Sequence, residues 1–238
     1  EKRNDDGLTS SPNVVGVGRC RVEADPTLSR TVKVAVRRCL SSKSEGLYLH
    51  WRREIHMRIG EIEVEGLAYC PEAIGVEEES HLIRLCESFK FREITMRGVT
   101  ARRTVVCFGY DYQYRSRSVV AVDPIPDALL AMKARCAAVA SVPDSFDQVI
   151  VSRYSAGAGI GWHVDSPVFD DTILGLSLAS SARLLMKSPF GSTSVSLSLA
   201  PRSLYILSGA SRSTWKHRVA PISSGIRYSI TFRTVRRR

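Results

Sequence analysis

Residues 172–207 read TILGLSLASSARLLMKSPFGSTSVSLSLAPRSLYIL. Four runs within this stretch, 172–178, 183–187, 194–199 and 203–207, are rich in leucine, isoleucine, valine and serine and are broken by Ser-Ser, Ser-Pro-Phe-Gly and Ala-Pro. Short β-forming runs bounded by turn residues read as strands. Working outward, the same texture covers 147–154 upstream and 227–232 downstream. Closely spaced short strands predict two facing antiparallel sheets of jelly-roll type, whose open mouth can hold a small ligand. Helices flank this β region on its N-terminal side. Glu77, Glu78 and Glu79 favour a helix start and are followed by Leu82, Ile83, Leu85 and Cys86 as its core face. Pro124 and Pro126 set the boundary of a second helix, whose Leu129, Leu130, Lys133, Ala137 and Ala140 recur at helical spacing. The expected class is mainly β with flanking helices, α+β.

A chain of 238 residues suits one catalytic domain with an appendage. Its 44% hydrophobic and 24% charged residues are ordinary for a globular protein, and no apolar run is long enough to cross a membrane as a helix. Lysine and arginine number 34 against 24 acids, and the resulting charge of +10 favours a polyanionic partner such as nucleic acid. Residues 1–60 hold 12 Lys or Arg against 7 Asp or Glu, a net +5. Apart from the alternation of Val32, Val34 and Val36, which predicts a short strand, they carry no pattern, so they are set apart as a basic extension without an assigned role. Cys20, Cys39, Cys70, Cys86, Cys107 and Cys136 are scattered with no Cys-x-x-Cys, as expected of reduced, mostly buried thiols. With no apolar signal core at the start, the expectation is an intracellular protein, cytoplasmic or nuclear, and not a secreted one.

Gly159-Ile-Gly-Trp-His-Val-Asp165 places His163 and Asp165 two residues apart, which on a strand puts both on one face. His217 lies 54 residues after His163, far enough for the intervening strands to fold back to the same place. Two imidazoles and one carboxylate form the facial triad that leaves positions open on a non-haem Fe(II) ion. The other histidines, His50, His56 and His81, sit in no ligand pattern.

The last strand reads Arg227-Tyr-Ser-Ile-Thr-Phe-Arg233, and its parity puts Arg227, Ser229, Thr231 and Arg233 on one face, with Tyr228, Ile230 and Phe232 on the other. Inward-facing arginines need anionic partners, and a small dicarboxylate between Arg227 and Arg233 satisfies both. Ser152 and Tyr154 share parity on the strand leading to the triad and add a hydroxyl and a phenol as hydrogen-bond donors.

Taken together, Ser152-Arg-Tyr154, His163-x-Asp165, His217-Arg-Val219 and Arg227-x5-Arg233 resemble, in order and spacing, the AlkB family of Fe(II)/2-oxoglutarate-dependent dioxygenases. The resemblance runs over about 66–235. It implies a double-stranded β-helix core in a dioxygenase domain spanning 61–238, with Fe(II) on His163, Asp165 and His217 and dioxygen as co-reactant. It also implies 2-oxoglutarate held by Tyr154, Arg227 and Arg233, with Ser152 and Ser229 standing where the family carries asparagine-like residues. Which arginine takes which carboxylate stays open. The segment Arg102-Arg-Thr-Val-Val-Cys-Phe-Gly-Tyr-Asp-Tyr112 looks like the family's nucleotide-recognition cover, which points to Arg102, Arg103, Tyr110 and Tyr112 as substrate contacts.

Where repair-type members carry a second acid two positions after the metal aspartate, this chain has Pro167, with Asp170 and Asp171 as nearby substitutes. The runs at 169–178 and 201–209 look most similar to the branch that hydroxylates wobble uridine side chains in tRNA. Three functions are therefore weighed: oxidative demethylation of N-alkylated bases in DNA or RNA, stable hydroxylation of a tRNA base substituent, and a non-catalytic nucleic-acid-binding module. The partner in each is nucleic acid, single-stranded DNA or RNA and in the second case tRNA, with binding that weakens as salt rises.

Overall fold

The computed structural model describes residues 56–59, 62–96, 98–113, 115–191 and 193–237. The strand predicted at Val32, Val34 and Val36, with the rest of 1–55, lies outside them.

Fifteen strands and three helices follow in chain order: β1 (His56–Ile59), β2 (Ile62–Glu65), β3 (Leu67–Cys70), α1 (Val76–Ser88), β4 (Arg92–Met96), β5 (Val99–Phe108), β6 (Tyr110–Gln113), β7 (Ser118–Ala121), α2 (Asp127–Ala140), β8 (Gln148–Ser155), β9 (Ile160–His163), β10 (Phe169–Ala179), β11 (Ala182–Lys187), β12 (Ser194–Leu199), β13 (Leu204–Leu207), α3 (Gly209–Ser213), β14 (Lys216–Val219) and β15 (Ile226–Val235). A seven-stranded sheet, ordered β3-β13-β10-β15-β8-β5-β4, faces a four-stranded sheet, ordered β12-β11-β14-β9. Every pairing among the described residues is antiparallel, as a jelly roll requires.

The large sheet buries side chains on both faces, and alternation decides which side chain goes where. Leu174, Leu176 and Leu178 of β10 and Tyr228, Ile230 and Phe232 of β15 pack beneath α1 and α2, against Leu82, Cys86, Leu129, Met132 and Cys136. Ile173 of β10 and Tyr205 and Leu207 of β13 point the other way, into a second core closed by Leu184, Met186 and Leu197 of the small sheet. Each buried aliphatic side chain contributes about 1.5–3 kcal/mol relative to exposure, so the two layers fix the sheet from both sides. The tyrosine, isoleucine and phenylalanine of β15 are thus the helix-packed face, which leaves its arginines between the sheets.

In α2 the buried face is Leu129, Met132, Cys136, Ala137 and Ala140, whereas Leu130 is 39% exposed. Leu130, read with Leu129 as part of the helical spacing, is off the buried face: with Leu129 and Met132 facing the sheet, the helical turn of about 100° per residue carries position 130 to the solvent side. Glu79 of α1 is buried, accepting from the Ala179 amide at 2.9 Å and from Arg202 at 3.0 Å, and so ties the helix to the turn after β10. Cys70, Cys86 and Cys136 are buried, and Cys107 is partly buried. Burial pushes the thiols of Cys86, Cys107 and Cys136 up to about 12, so they stay protonated and unreactive. No helix among the described residues is long and apolar enough to cross a membrane.

Candidate active site

His163 ends β9 and His217 lies on β14, and the two residues are directly paired across the small sheet with ring centroids 4.3 Å apart. Asp165 meets them from the loop after β9, with its Oδ2 3.2 Å from His217 Nε2. One ligand atom from each residue lies within 4.8 Å of those of the other two, close enough to share an ion. The expected strand parity is not what brings His163 and Asp165 together, because β9 stops at His163. Beyond it the chain turns through Ser166 and Pro167, where the Phe169 amide reaches the Ser166 carbonyl at 3.2 Å. Proline has no N–H to extend a ladder, so a turn rather than a strand delivers the carboxylate.

His163 Nδ1 lies 2.8 Å from the Gly161 carbonyl, an acceptor only, so Nδ1 carries the proton and Nε2 offers its lone pair. Burial, and then the neighbouring His217, lower the pKa of His163 and keep the imidazole neutral, as metal ligation requires. Burial alone would raise the pKa of Asp165. The hydrogen bond with His217 and the charge of Arg233 outweigh it and hold the carboxyl well below its usual range. The two nitrogens and one oxygen fit a non-haem Fe(II) ion.

Arg212 of α3, which the sequence did not single out, fixes this loop. Its guanidinium is buried and donates to the carbonyls of Asp165 (3.2 Å), Ser166 (2.7 Å) and Phe169 (3.1 Å). Removing it strands three acceptors in a buried loop, at a cost of about 2–4 kcal/mol. Arg212→Ala is therefore expected to lower the melting temperature and weaken iron binding by roughly 10–100-fold, the range for groups that orient metal ligands. Arg212→Lys should fall between the two. Calorimetric iron titration checks this, and wild-type affinity in Arg212→Ala would show that the loop holds Asp165 unaided.

On β15, Arg227, Ser229 and Arg233 face inward between the sheets. Arg227 is fully buried, with its guanidinium 5.0 Å from the Tyr154 ring centroid and Nη2 donating to Ser177 Oγ at 3.0 Å. Its Nε and Nη1 have no hydrogen-bond partner among the described residues. A buried guanidinium with two donors to spare fits an anionic ligand, as a dicarboxylate would provide. Arg233 is already engaged: Nε donates to Gln148 Oε1 at 2.8 Å, Nη1 reaches Asp165 Oδ1 at 3.4 Å, and the guanidinium stacks 4.0 Å from the Phe169 ring centroid. Ser152 and Ser229 are paired neighbours on β8 and β15, and Tyr154 is paired with Arg227.

Two further residues belong here, Gln148, which holds Arg233, and Tyr205, which lines the cavity. Gln148 shares parity with Ser152 and Tyr154, so the alternation along β8 was enough to find it. Tyr205 of β13 is buried and lies across Gly175, its direct partner on β10, where any Cβ would collide with the phenol ring. Nothing in the local pattern around Tyr205 foretells that close approach.

The space enclosed is about 1590 Å³ and runs from Tyr154, Tyr205 and Ser229, past the triad, to an opening beside β4–β7. Arg103, Tyr112 and Asp171 line it, and Arg115 and Arg117 stand at its mouth. Arg103 is buried with Nη1 3.5 Å from Ser152 Oγ, and Tyr112 packs on Phe169 at 5.9 Å between centroids. Arg102 lines a separate groove of about 230 Å³, shared with Arg218. Tyr110 and Asp170 are outside both linings. Tyr110 instead gives its carbonyl to Gln148 Nε2 at 2.9 Å, and Asp170 and Asp171 lie 3.5 and 2.8 Å from Arg236 Nη2.

Residues 68–233 match the family model described as the 2OG-Fe(II) oxygenase superfamily. The chain is 33% identical over 169 residues to the Mus musculus protein named tRNA (carboxymethyluridine(34)-5-O)-methyltransferase ALKBH8, a match covering 66% of this chain and 24% of that protein. It is 26% identical over 185 residues to the Arabidopsis thaliana protein named Alkylated DNA repair protein ALKBH8 homolog, covering 66% of this chain and 51% of that one. The chain thus spans about a quarter to a half of the length of these relatives. Among solved structures, OsALKBH1 superposes with a TM-score of 0.55 at 19% identity, over 71% of this chain and 96% of its own. A 2OG-Fe(II) oxygenase family protein from Burkholderia pseudomallei gives 0.52 at 14% identity, over 71% and 84%. These two establish the double-stranded β-helix fold, and the family match covers the triad and both arginines. The chain belongs to the 2OG-Fe(II) oxygenase superfamily and, within it, to the AlkB family.

Proposed function

We propose that the chain is an Fe(II)/2-oxoglutarate-dependent dioxygenase that hydroxylates an alkyl carbon carried by a nucleic-acid base. The observation that supports this best is the triad of His163, Asp165 and His217 in a cavity also lined by Tyr154, beside whose ring the buried Arg227 keeps two donors to spare. Iron and 2-oxoglutarate, when bound, supply with dioxygen an oxidant able to insert oxygen into a C–H bond, the keto acid leaving as succinate and carbon dioxide. The residues of this chain orient and exclude. His163, Asp165 and His217 are the metal ligands, the first oriented by Gly161 and the second by Arg212. Arg233, held beside Asp165, belongs with the metal-chelating end of the co-substrate, and Arg227, with Tyr154, with the distal carboxylate. Arg103 and Tyr112 on the cavity wall are placed to receive a base that has left its stack.

For an N-linked methyl group the hydroxylated carbon leaves as formaldehyde and the base nitrogen recovers its proton, which is demethylation of DNA or RNA. For a carbon-linked substituent the alcohol persists, as in hydroxylation of a tRNA base. Pro167, exposed where repair-type members have an acid, favours the second outcome. A panel of methylated single strands, duplexes and tRNA, assayed for succinate and formaldehyde with His163→Ala as the inactive control, separates them. Formaldehyde marks demethylation, and an oxygenated nucleoside without aldehyde marks hydroxylation. No succinate from any substrate with iron present would leave only a binding module.

A further inference from the structure

On the small sheet, the strand faces turned away from the cavity are basic. Register places Arg183, Leu185 and Lys187 of β11 beside Lys216 and Arg218 of β14, with Lys187 directly opposite Lys216 and Leu185 opposite Arg218. On the other side of β11 the partners are Ser194, Ser196 and Ser198 of β12. This face carries four cations and no acid, and none of the four forms an ion pair among the described residues. Like charges directly opposite each other in an antiparallel pair are destabilising, so Lys187 and Lys216 impose a cost that the fold itself does not require.

Trp162 connects this face to the active site. It is the residue before the metal ligand His163 and lines the cavity, yet it is 37% exposed. Lys187 Nζ lies 4.5 Å and the Arg218 guanidinium 5.1 Å from the ring centroid, so both cations are within cation–π range of the indole. Arg218 also lines the small groove with Arg102, extending the positive potential around the edge of β9.

We infer that this face is a track for single-stranded nucleic acid, with Lys187, Lys216, Arg183 and Arg218 meeting phosphates and Trp162 stacking on a base next to the one in the cavity. The inference rests on the nucleic-acid substrate proposed above. A basic groove interleaved with an exposed aromatic is the general chemistry of single-strand binding, because any base offers a π face and every linkage a charge. Carbonyl-rich or acidic protein surfaces would gain little from the indole, whereas a strand crossing the rim uses the cations and the ring together.

The test is binding of a fluorescein-labelled single-stranded RNA by the full chain at several salt concentrations. Lys187→Glu with Lys216→Glu should raise Kd at least about tenfold and reduce the slope of log K against log salt by roughly 1.4, the value for two lost phosphate contacts on a single strand. Trp162→Ala should raise Kd about fivefold or more with an unchanged slope, and Trp162→Phe should recover most of the loss. Circular dichroism and melting temperature equal to wild type establish that the surface variants are folded. If wild type binds RNA with a salt slope and the double variant binds with the same Kd and slope, the track is overturned while the substrate class stands. If wild type shows no salt-dependent RNA binding, both fall. Phosphatidylserine vesicles serve as a second probe, and vesicle binding that depends on Lys187 and Lys216 while RNA affinity does not would make the face a membrane contact and overturn the track.

Discussion

Asp165→Ala is expected to abolish iron-dependent consumption of 2-oxoglutarate, by about a thousandfold or more, because it removes the only anionic ligand of the triad. The carboxylate lies between His217, at 3.2 Å, and Arg233, at 3.4 Å, and is held ionised by both. Deleting it weakens the metal site and also brings the unneutralised Arg233 charge to bear on any cation. Asp165→Asn separates the two roles. The amide keeps an oxygen for Arg233 and the shape of the loop, so folding should survive, but the negative charge that binds Fe(II) is gone. Metal analysis and succinate formation should therefore fail in both variants, with the melting temperature nearer wild type for the asparagine. Iron stoichiometry and turnover in Asp165→Asn within about tenfold of wild type would mean that the cation is not held by this carboxylate.

Alternation in the sequence was most informative where strands are central and regular. β15 is flanked by β10 and β8 over most of its length, so strict parity holds and Arg227, Ser229 and Arg233 share the inward face as read. The same rule failed over His163 and Asp165 because β9 is only four residues long and the chain leaves the ladder before the aspartate. Spacing still succeeded there, since a turn pinned by Arg212 brings the carboxylate to the place a strand would have reached. Arg212, Gly175 and Tyr205 were not legible: an arginine in a short serine-rich helix and a tyrosine on an apolar strand acquire meaning only from what folds against them. Leu130 shows the corresponding limit for helices, where neighbouring apolar residues leave the buried stripe uncertain by one position. The basic outer face of the small sheet is visible as Arg183, Lys187, Lys216 and Arg218 only once register makes those positions neighbours.

Arg227→Met is expected to raise the KM for 2-oxoglutarate by about a hundredfold or more while leaving the ligand-free protein at least as stable as wild type. Truncating one partner of a buried, hydrogen-bonded charge pair costs about 2–5 kcal/mol of binding, which sets that scale. The stability argument runs the other way. Among the described residues, the fully buried Arg227 guanidinium meets the Ser177 hydroxyl and the Tyr154 ring, neither of which carries a compensating charge. Methionine fills similar volume with no charge to desolvate, and replacing buried ionic groups by apolar ones of like size is often neutral or stabilising. The wild-type site therefore retains a local instability that an anion relieves. With 2-oxoglutarate at about a hundred times its Kd, wild type should gain roughly 2.7 kcal/mol, seen as a rise of about 5–10 °C in melting temperature, and Arg227→Met should gain almost nothing. Arg227→Lys tests geometry apart from charge: a single ammonium cannot reproduce the paired donors of Nε and Nη1, so KM should remain raised about tenfold. A ligand-induced shift of full size in Arg227→Met would place the distal carboxylate away from this arginine.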